Sequence, residues 1–463
     1  MISFTFKTKT MATTTSYNPY NNVELQTYKN HTKQEVSDLI DKADKRFYSW
    51  RETSYSERKK LMLAAAAELK KNTREYAEMM SLEMGKPISQ AIGEVEKCAW
   101  VCEFYAENAE KQLQDEVVQT DAFKSYVSYE PLGIVLAVMP WNYPFWQVFR
   151  FAAPALMAGN IGLLKHASNV FGSALNIEKV FKRAGFPENC FTTLLIGSKD
   201  VKEVLENEKV KAVTLTGSGP AGASVASIAG ENIKKSVLEL GGNNALIVMK
   251  DADIDKAVAT CVQARFQNTG QSCIAGKRLI IDESISEEFV EKMVIKVREL
   301  KSGDPMDEKT YVGTLAREDL AKDLEKQVNA SLKSGAKLAI GGNRQGAYYE
   351  PTILTNVSQK MTVFEEETFG PVLSVTTFKT VEEAVEMSNN SEFGLGVSIF
   401  SKNIEAAEKL AFQFDEGAVF INELVKSDPR LPFGGIKKSG YGRELSQHGI
   451  HEFVNRKTIF INK

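Results

Sequence analysis

The sequence lacks most of what would mark a membrane, metal or nucleic-acid protein. No apolar run approaches the roughly 18 residues that cross a bilayer. Charge of one sign is missing as well. Lys and Arg total 57 against 60 Asp and Glu, a formal net charge of -3. Neither nucleic acid nor an anionic membrane is therefore expected as a partner. Histidine is scarce (His31, His166, His448 and His451), and the five cysteines (Cys98, Cys102, Cys190, Cys261 and Cys273) include no CxxC pair. A zinc site is accordingly not expected, and no metal is assigned. An odd, sparse set of thiols suits the reducing cytoplasm better than a disulfide framework.

What is present is a large soluble-type chain. Its 463 residues are 43% apolar and 25% charged, too long for one core, so two or three domains are expected. The opening MISFTFKTKT is basic and has no secretory core. Met11 is read as the true start and the extension as a loose lead-in, with a transit peptide as the alternative. Residues Lys33–Gln114 read as helices; Ser56–Lys71 places Leu61, Ala64, Ala65 and Leu69 on one face. From Gly133 short β-branched runs (Gly133–Val138, Ile161–Lys165, Phe191–Ile196, Lys211–Thr216, Ser236–Leu240) alternate with helical segments. That is the pattern of a Rossmann-like parallel sheet. A second α/β set follows, with a helix at Asp253–Asn268 that Asp251 or Asp253 could cap. Its strands are read at Lys277–Ile281, Lys337–Ile340, Val372–Phe378, Val397–Phe400 and Ala418–Ile421. Strand-like Phe123–Glu130 and Thr458–Asn462 offer edges suited to pairing with another subunit.

Four local features can carry chemistry. Cys273, in NTGQSCIAGKR, follows a turn between a helix and a strand; there a thiol can be exposed and reactive, or it can be a small buried hydrophobe. Glu239, in VLELGGNN, stands at a strand end, where ligands collect in α/β sheets; it can activate water or cap a turn. Asn142 sits in MPWNYPFW, a loop stiffened by prolines and tryptophans. Its amide can stabilise an oxyanion or make an ordinary Asx-turn. GSGPAG (Gly217–Gly222) follows a strand, with Pro220 suited to the first turn of a helix whose N-terminus can take a phosphate.

Each feature is weak alone, but together they resemble the aldehyde dehydrogenase superfamily. The resemblance rests on PWNYP (Pro140–Pro144), LLKHAS (Leu163–Ser168), TLTGS (Thr214–Ser218), LELGGNN (Leu238–Asn244), NTGQSC (Asn268–Cys273), EETFGPV (Glu366–Val372) and PFGGIKKSGYGRE (Pro432–Glu444). These run in family order over nearly the whole chain from about residue 17. The resemblance implies an α/β fold with a Rossmann-like cofactor domain (1–115 and 132–241), a catalytic domain (242–440) and a small β oligomerisation arm (116–131 and 441–463). A homodimer or homotetramer would follow. It also implies that Cys273 attacks an aldehyde, that Asn142 and the Cys273 N–H hold the oxyanion, and that Glu239 activates water to hydrolyse the thioester. NAD or NADP would be bound by Pro140, Trp141, Lys165, Ser168, Gly217, Ser218, Leu240, Glu367 and Phe369.

Two departures sharpen the expectation. The family often has Glu where Ser168 stands; without that carboxylate a 2′-phosphate is not repelled, so NADP is favoured over NAD. His166 replaces the usual Pro. Arg150, in the apolar FWQVFRFAAPALMAG, needs a partner. That partner can be a structural carboxylate or the substrate's own carboxylate gripped as a fork. The surrounding sequence is similar to the succinate-semialdehyde dehydrogenase branch, which implies the second, with Ser427 assisting and Arg430 as another candidate. Ala275 stands where some members of that branch carry a second cysteine, so no local redox disulfide is expected. Glutarate semialdehyde, aliphatic aldehydes and a CoA-acylating reaction remain alternatives; a non-catalytic relative is disfavoured by intact Cys273, Glu239 and Asn142.

Overall fold

A computed structural model describes residues 12–463; the proposed start at Met11 lies outside the described residues. The helices Lys33–Trp50, Tyr55–Lys71, Thr73–Met84 and Ile88–Gln112 form the expected N-terminal layer. Two of them begin with full capping boxes, Thr32 with Glu35 and Ser54 with Glu57, which satisfy the orphan N–H groups of the first turn. Their buried faces join the core of a six-stranded sheet. That sheet runs in the order Gly440–Tyr441, Lys235–Glu239, Val210–Thr216, Ile134–Met139, Ile161–His166, Phe191–Thr193. The last five strands are parallel with helical crossovers, the Rossmann-like arrangement. The strand at Phe191 is shorter than expected. Leu195 leaves the sheet to exchange backbone and imidazole contacts with His31.

The second sheet has seven strands, in the order Lys337–Ile340, Thr352–Thr355, Val372–Phe378, Gly276–Asp282, Asn244–Val248, Val397–Phe400, Val419–Ile421. Only the Lys337 edge pair is antiparallel. Two of its strands, Asn244–Val248 and Thr352–Thr355, are additional to those read from the sequence. The helix Ile254–Phe266 is capped by Asp253, whose side chain accepts from the Lys256 N–H. Asp251 is instead occupied by Ser401 and the Asn403 N–H. The segment Lys124–Pro131 pairs antiparallel with Val454–Ile461, and Glu116–Val117 adds a short third strand.

A hairpin, Thr13–Tyr17 with Glu24–Lys29, precedes the helices. It was not foreseen, although the NPYNN turn between its alternating strands carries the signal. Asn22 there adopts φ 58, a left-handed conformation that Asn tolerates. The C-terminal segment returns to the first sheet, where Gly440 pairs antiparallel with Glu239. That return brings Glu444 from the end of the chain against the centre of the molecule. No helix among the described residues is long and apolar enough to cross a membrane.

Candidate active site

Cys273 is held by a strained turn. After the helix ends at Phe266, Asn268 (φ 55), Thr269 (φ 54) and Gly270 (φ 72) are all left-handed. That conformation is costly for a β-branched threonine and persists only when neighbours over-determine it. Here they do. Gln90 accepts from the Asn268 N–H, Thr269 accepts from the Gly313 N–H, and Gln271 accepts from the Ala316 N–H. The helix read as reaching Asn268 therefore stops earlier, and the turn presents Cys273 as the one part-exposed cysteine among the described residues.

Lys277, wholly buried, donates to the carbonyls of Cys273 (2.7 Å) and Gly242 (2.5 Å) and pairs with Glu367 (2.9 Å). It thereby ties the Cys273 turn to the LELGG turn and to EETFGPV. Surrounding protein pushes the Cys273 thiol up to about 11, against the pull of Lys277 and Arg150. Without a bound partner the thiol is thus mostly protonated at neutral pH. Its spacing four residues after Cys273 was the available signal for Lys277, a residue the sequence reading passed over.

Asn142 is buried, and its amide donates to the Gln271 carbonyl at 3.0 Å while its oxygen accepts from Gln147. The amide is fixed against the Cys273 turn, with one N–H still uncommitted. His166 holds the same loop at Pro144. Its Nδ1 accepts from the Ala167 N–H, and its Nε2 donates to the Pro144 carbonyl at 2.9 Å. The imidazole thus staples the PWNYP loop, and burial holds it neutral, with a pKa lowered to about 4. This is the physical role of the residue that departs from the usual proline.

Glu239 ends its strand as expected. It is buried, and neither carboxyl oxygen has a hydrogen-bond partner among the described residues. Burial, then repulsion from Glu444, raises it well above the usual carboxylate range, opposed by Arg150 and Arg443. Gly434 makes room for it: a β-carbon there would lie 2.6 Å from a Glu239 oxygen. A buried carboxyl whose charged form is disfavoured, within electrostatic reach of Cys273 and without a hydrogen-bond partner among the described residues, is suited to proton transfer rather than to capping.

Arg150 lies in the helix Trp146–Met157, every residue of which is buried. Its guanidinium pairs with buried Glu444 and stacks over Phe433 at 4.6 Å. The structural carboxylate, one of the two partners expected for it, is therefore present. Arg150 nevertheless lines a cavity of about 650 Å³ that also contains Cys273, Tyr143, Trp146, Lys97 and Ser427. Arg430 is outside that wall, exposed and bound to Asp428.

The cofactor candidates fall into two groups. Lys165 and Ser168 share a cavity of about 1240 Å³ walled by Tyr20 and Asn21 of the N-terminal hairpin and by Arg317. Lys165 is buried and forms no ion pair or hydrogen bond among the described residues, and burial lowers its pKa. A buried cation with no internal partner, beside a hydroxyl, fits a phosphate-bearing cofactor. Gly217 and Ser218 lie apart from that wall, at the start of the helix Gly219–Glu231, which has no side-chain cap. Leu240 packs against Gly222 of that helix. Trp141, which follows Pro140, meets Phe369 edge to face at 5.7 Å. Glu367 turns inward, accepting from the Gly242 N–H at 3.1 Å as well as pairing with Lys277. A ribose would have to compete with these contacts.

A part-exposed thiol, a carboxyl without a hydrogen-bond partner among the described residues and a fixed amide are the groups a covalent aldehyde oxidoreductase needs. The chain belongs to the aldehyde dehydrogenase family, whose sequence model matches residues 6–459. Among its relatives is a probable succinate-semialdehyde dehydrogenase [NADP(+)] of Synechocystis sp. It is 51% identical over 447 residues, covering 96% of this chain and 98% of that protein. The succinate-semialdehyde dehydrogenase [NADP(+)] of Mycobacterium leprae is 48% identical over 450 residues, with 96% and 98% covered. Among solved structures, succinic semialdehyde dehydrogenase from Streptococcus pyogenes in complex with NADP+ superposes with a TM-score of 0.95. It shares 37% identity and covers 97% of this chain and 100% of that one.

Proposed function

We propose that this chain oxidises succinate semialdehyde to succinate, with NADP+ favoured over NAD+ as electron acceptor. The observation that carries the reading is the single cavity joining Cys273 to the electropositive end formed around Arg150 and Ser427. The names of the relatives support the same substrate and cofactor.

In this reading Cys273 Sγ, as thiolate, forms a bond to the aldehyde carbon. The oxygen that becomes negative is held by the free Asn142 N–H and the Cys273 backbone N–H, which need no rearrangement at that moment. NADP+, when bound, supplies the two-electron acceptor that converts the thiohemiacetal to a thioester. Lys165 and Ser168 would hold its 2′-phosphate end, Gly217 and Ser218 its diphosphate, and Trp141, Phe369 and Glu367 its nicotinamide end, with Pro140 and Leu240 shaping the path. Glu239, in its ionised form, then takes a proton from water. The hydroxyl oxygen bonds to the acyl carbon, the C–S bond breaks, and the thiolate returns.

The division into cofactor domain (1–115 and 132–241), catalytic domain (242–440) and arm (116–131 and 441–463) belongs to this proposal. So do a homodimer or homotetramer through the arm and a cytoplasmic location. Val117, Phe123, Phe460 and Ile461 expose apolar side chains along the arm, which suits a subunit contact. The test is product analysis: succinate semialdehyde and NADP+ should give succinate and NADPH in equal amounts, with or without CoA. Formation of a CoA thioester would replace this reading with the acylating alternative.

A further inference from the structure

The cations around the substrate cavity are not equivalent. Lys86 pairs with Glu94, and Arg150 pairs with Glu444. Lys97, midway along the helix Ile88–Gln112, forms no ion pair among the described residues. Its ammonium lies over the Trp146 ring at 4.3 Å and donates to Ser427 Oγ at 2.9 Å. Burial, then repulsion from Arg150, lowers its pKa to about 8.

Ser427 is the second half of the observation. Its oxygen accepts from Lys97 and, at 3.0 Å, from Trp146 Nε1. Two donors fill both lone pairs of a hydroxyl, so its own hydrogen must be given elsewhere, and no acceptor for it is found among the described residues. A half-buried ammonium with hydrogens to spare thus stands beside a hydroxyl turned into a donor. Both line the same cavity as Cys273. A carboxylate is the group that satisfies both at once.

We propose that Lys97, with Ser427, directly receives the distal carboxylate of the substrate, while Arg150 holds Glu444 and adds its charge from behind. This rests on the substrate being a semialdehyde with a distal carboxylate. Lys97 then selects for charge at the far end of the substrate, and the distance from its ammonium to Cys273 sets the chain length accepted. An uncharged aldehyde of the same length leaves Lys97 and the Ser427 hydrogen unsatisfied, which penalises it in binding rather than in chemistry.

The test compares succinate semialdehyde with butanal in wild type, Lys97→Met and Lys97→Gln. Both variants keep the length of the stem over Trp146. The expected result is that the ratio of KM values, succinate semialdehyde over butanal, rises roughly 10- to 150-fold in both variants, the range of a lost hydrogen bond to a charged group. Saturating kcat for succinate semialdehyde should change far less. A wild-type enzyme with clear preference for succinate semialdehyde, but variants whose KM ratio stays within about threefold of it, would overturn the role of Lys97 and leave the substrate reading standing. Loss of kcat for both aldehydes alike would assign Lys97 a purely structural role and overturn the proposal. A wild-type enzyme indifferent between the two aldehydes would overturn the substrate reading itself.

Discussion

Glu239→Gln separates the two halves of the reaction. At rest Glu239 is buried, without a hydrogen-bond partner among the described residues, and raised well above the ordinary carboxylate range by burial and by Glu444. Glutamine is a neutral side chain of nearly the same shape. Folding and the addition of Cys273 to aldehyde should therefore survive the change. What is lost is the basic form that takes a proton from water, a contribution of about 10²- to 10⁴-fold, or roughly 3–5 kcal/mol of barrier. Stopped-flow measurement of NADPH after mixing with succinate semialdehyde and NADP+ should show a burst approaching one equivalent per Cys273. A steady phase slowed by that factor should follow. Turnover at the wild-type rate without a burst would refute the assignment. A burst phase slowed as much as the steady phase would move Glu239 to activation of the thiol instead.

Three further outcomes are expected. Ser168→Glu places a carboxylate beside Lys165 in the large cavity and should lower the kcat/KM ratio of NADP+ to NAD+ by roughly tenfold or more; an unchanged ratio would remove Ser168 from the 2′-phosphate site. Alkylation of cofactor-free Cys273 should quicken about tenfold per pH unit from pH 7 to 9, because its thiolate is a minor species below about 11; a plateau below pH 8 would contradict the raised thiol. Arg150→Met strips buried Glu444 of its partner, costing about 3–5 kcal/mol when Glu444 is ionised. Burial already raises Glu444, and a carboxyl raised in the folded state loses stability as pH climbs through its folded pKa. The thermal midpoint of the variant should therefore fall further below wild type at pH 8 than at pH 5, and equal losses would contradict the pairing.

The parallel strands and crossover helices were legible because buried β-branched runs and periodic helices are local patterns. Cys273, Glu239 and Asn142 were legible as candidates because each sits in a contiguous motif. The groups that tune them were not. Glu444 reaches Arg150 only because the chain returns to pair Gly440 with Glu239. Lys97 reads in sequence as one more surface lysine on a helix, and only the packing of that helix on Trp146 and Ser427 gives it a charge without a partner. His166 shows the same limit: its departure from proline was visible, but the Pro144 carbonyl it holds is brought to it only by the fold of the loop.

The most direct measurement is a steady-state panel of aldehydes with and without a distal carboxylate, each run with NADP+ and NAD+. A site built from Cys273, Ser427 and the cations Lys97 and Arg150 should give its highest kcat/KM with succinate semialdehyde and NADP+. Butanal should fall at least tenfold lower with the same cofactor. Equal kcat/KM for charged and uncharged aldehydes, or no NADPH formed from any of them, would contradict the assigned function.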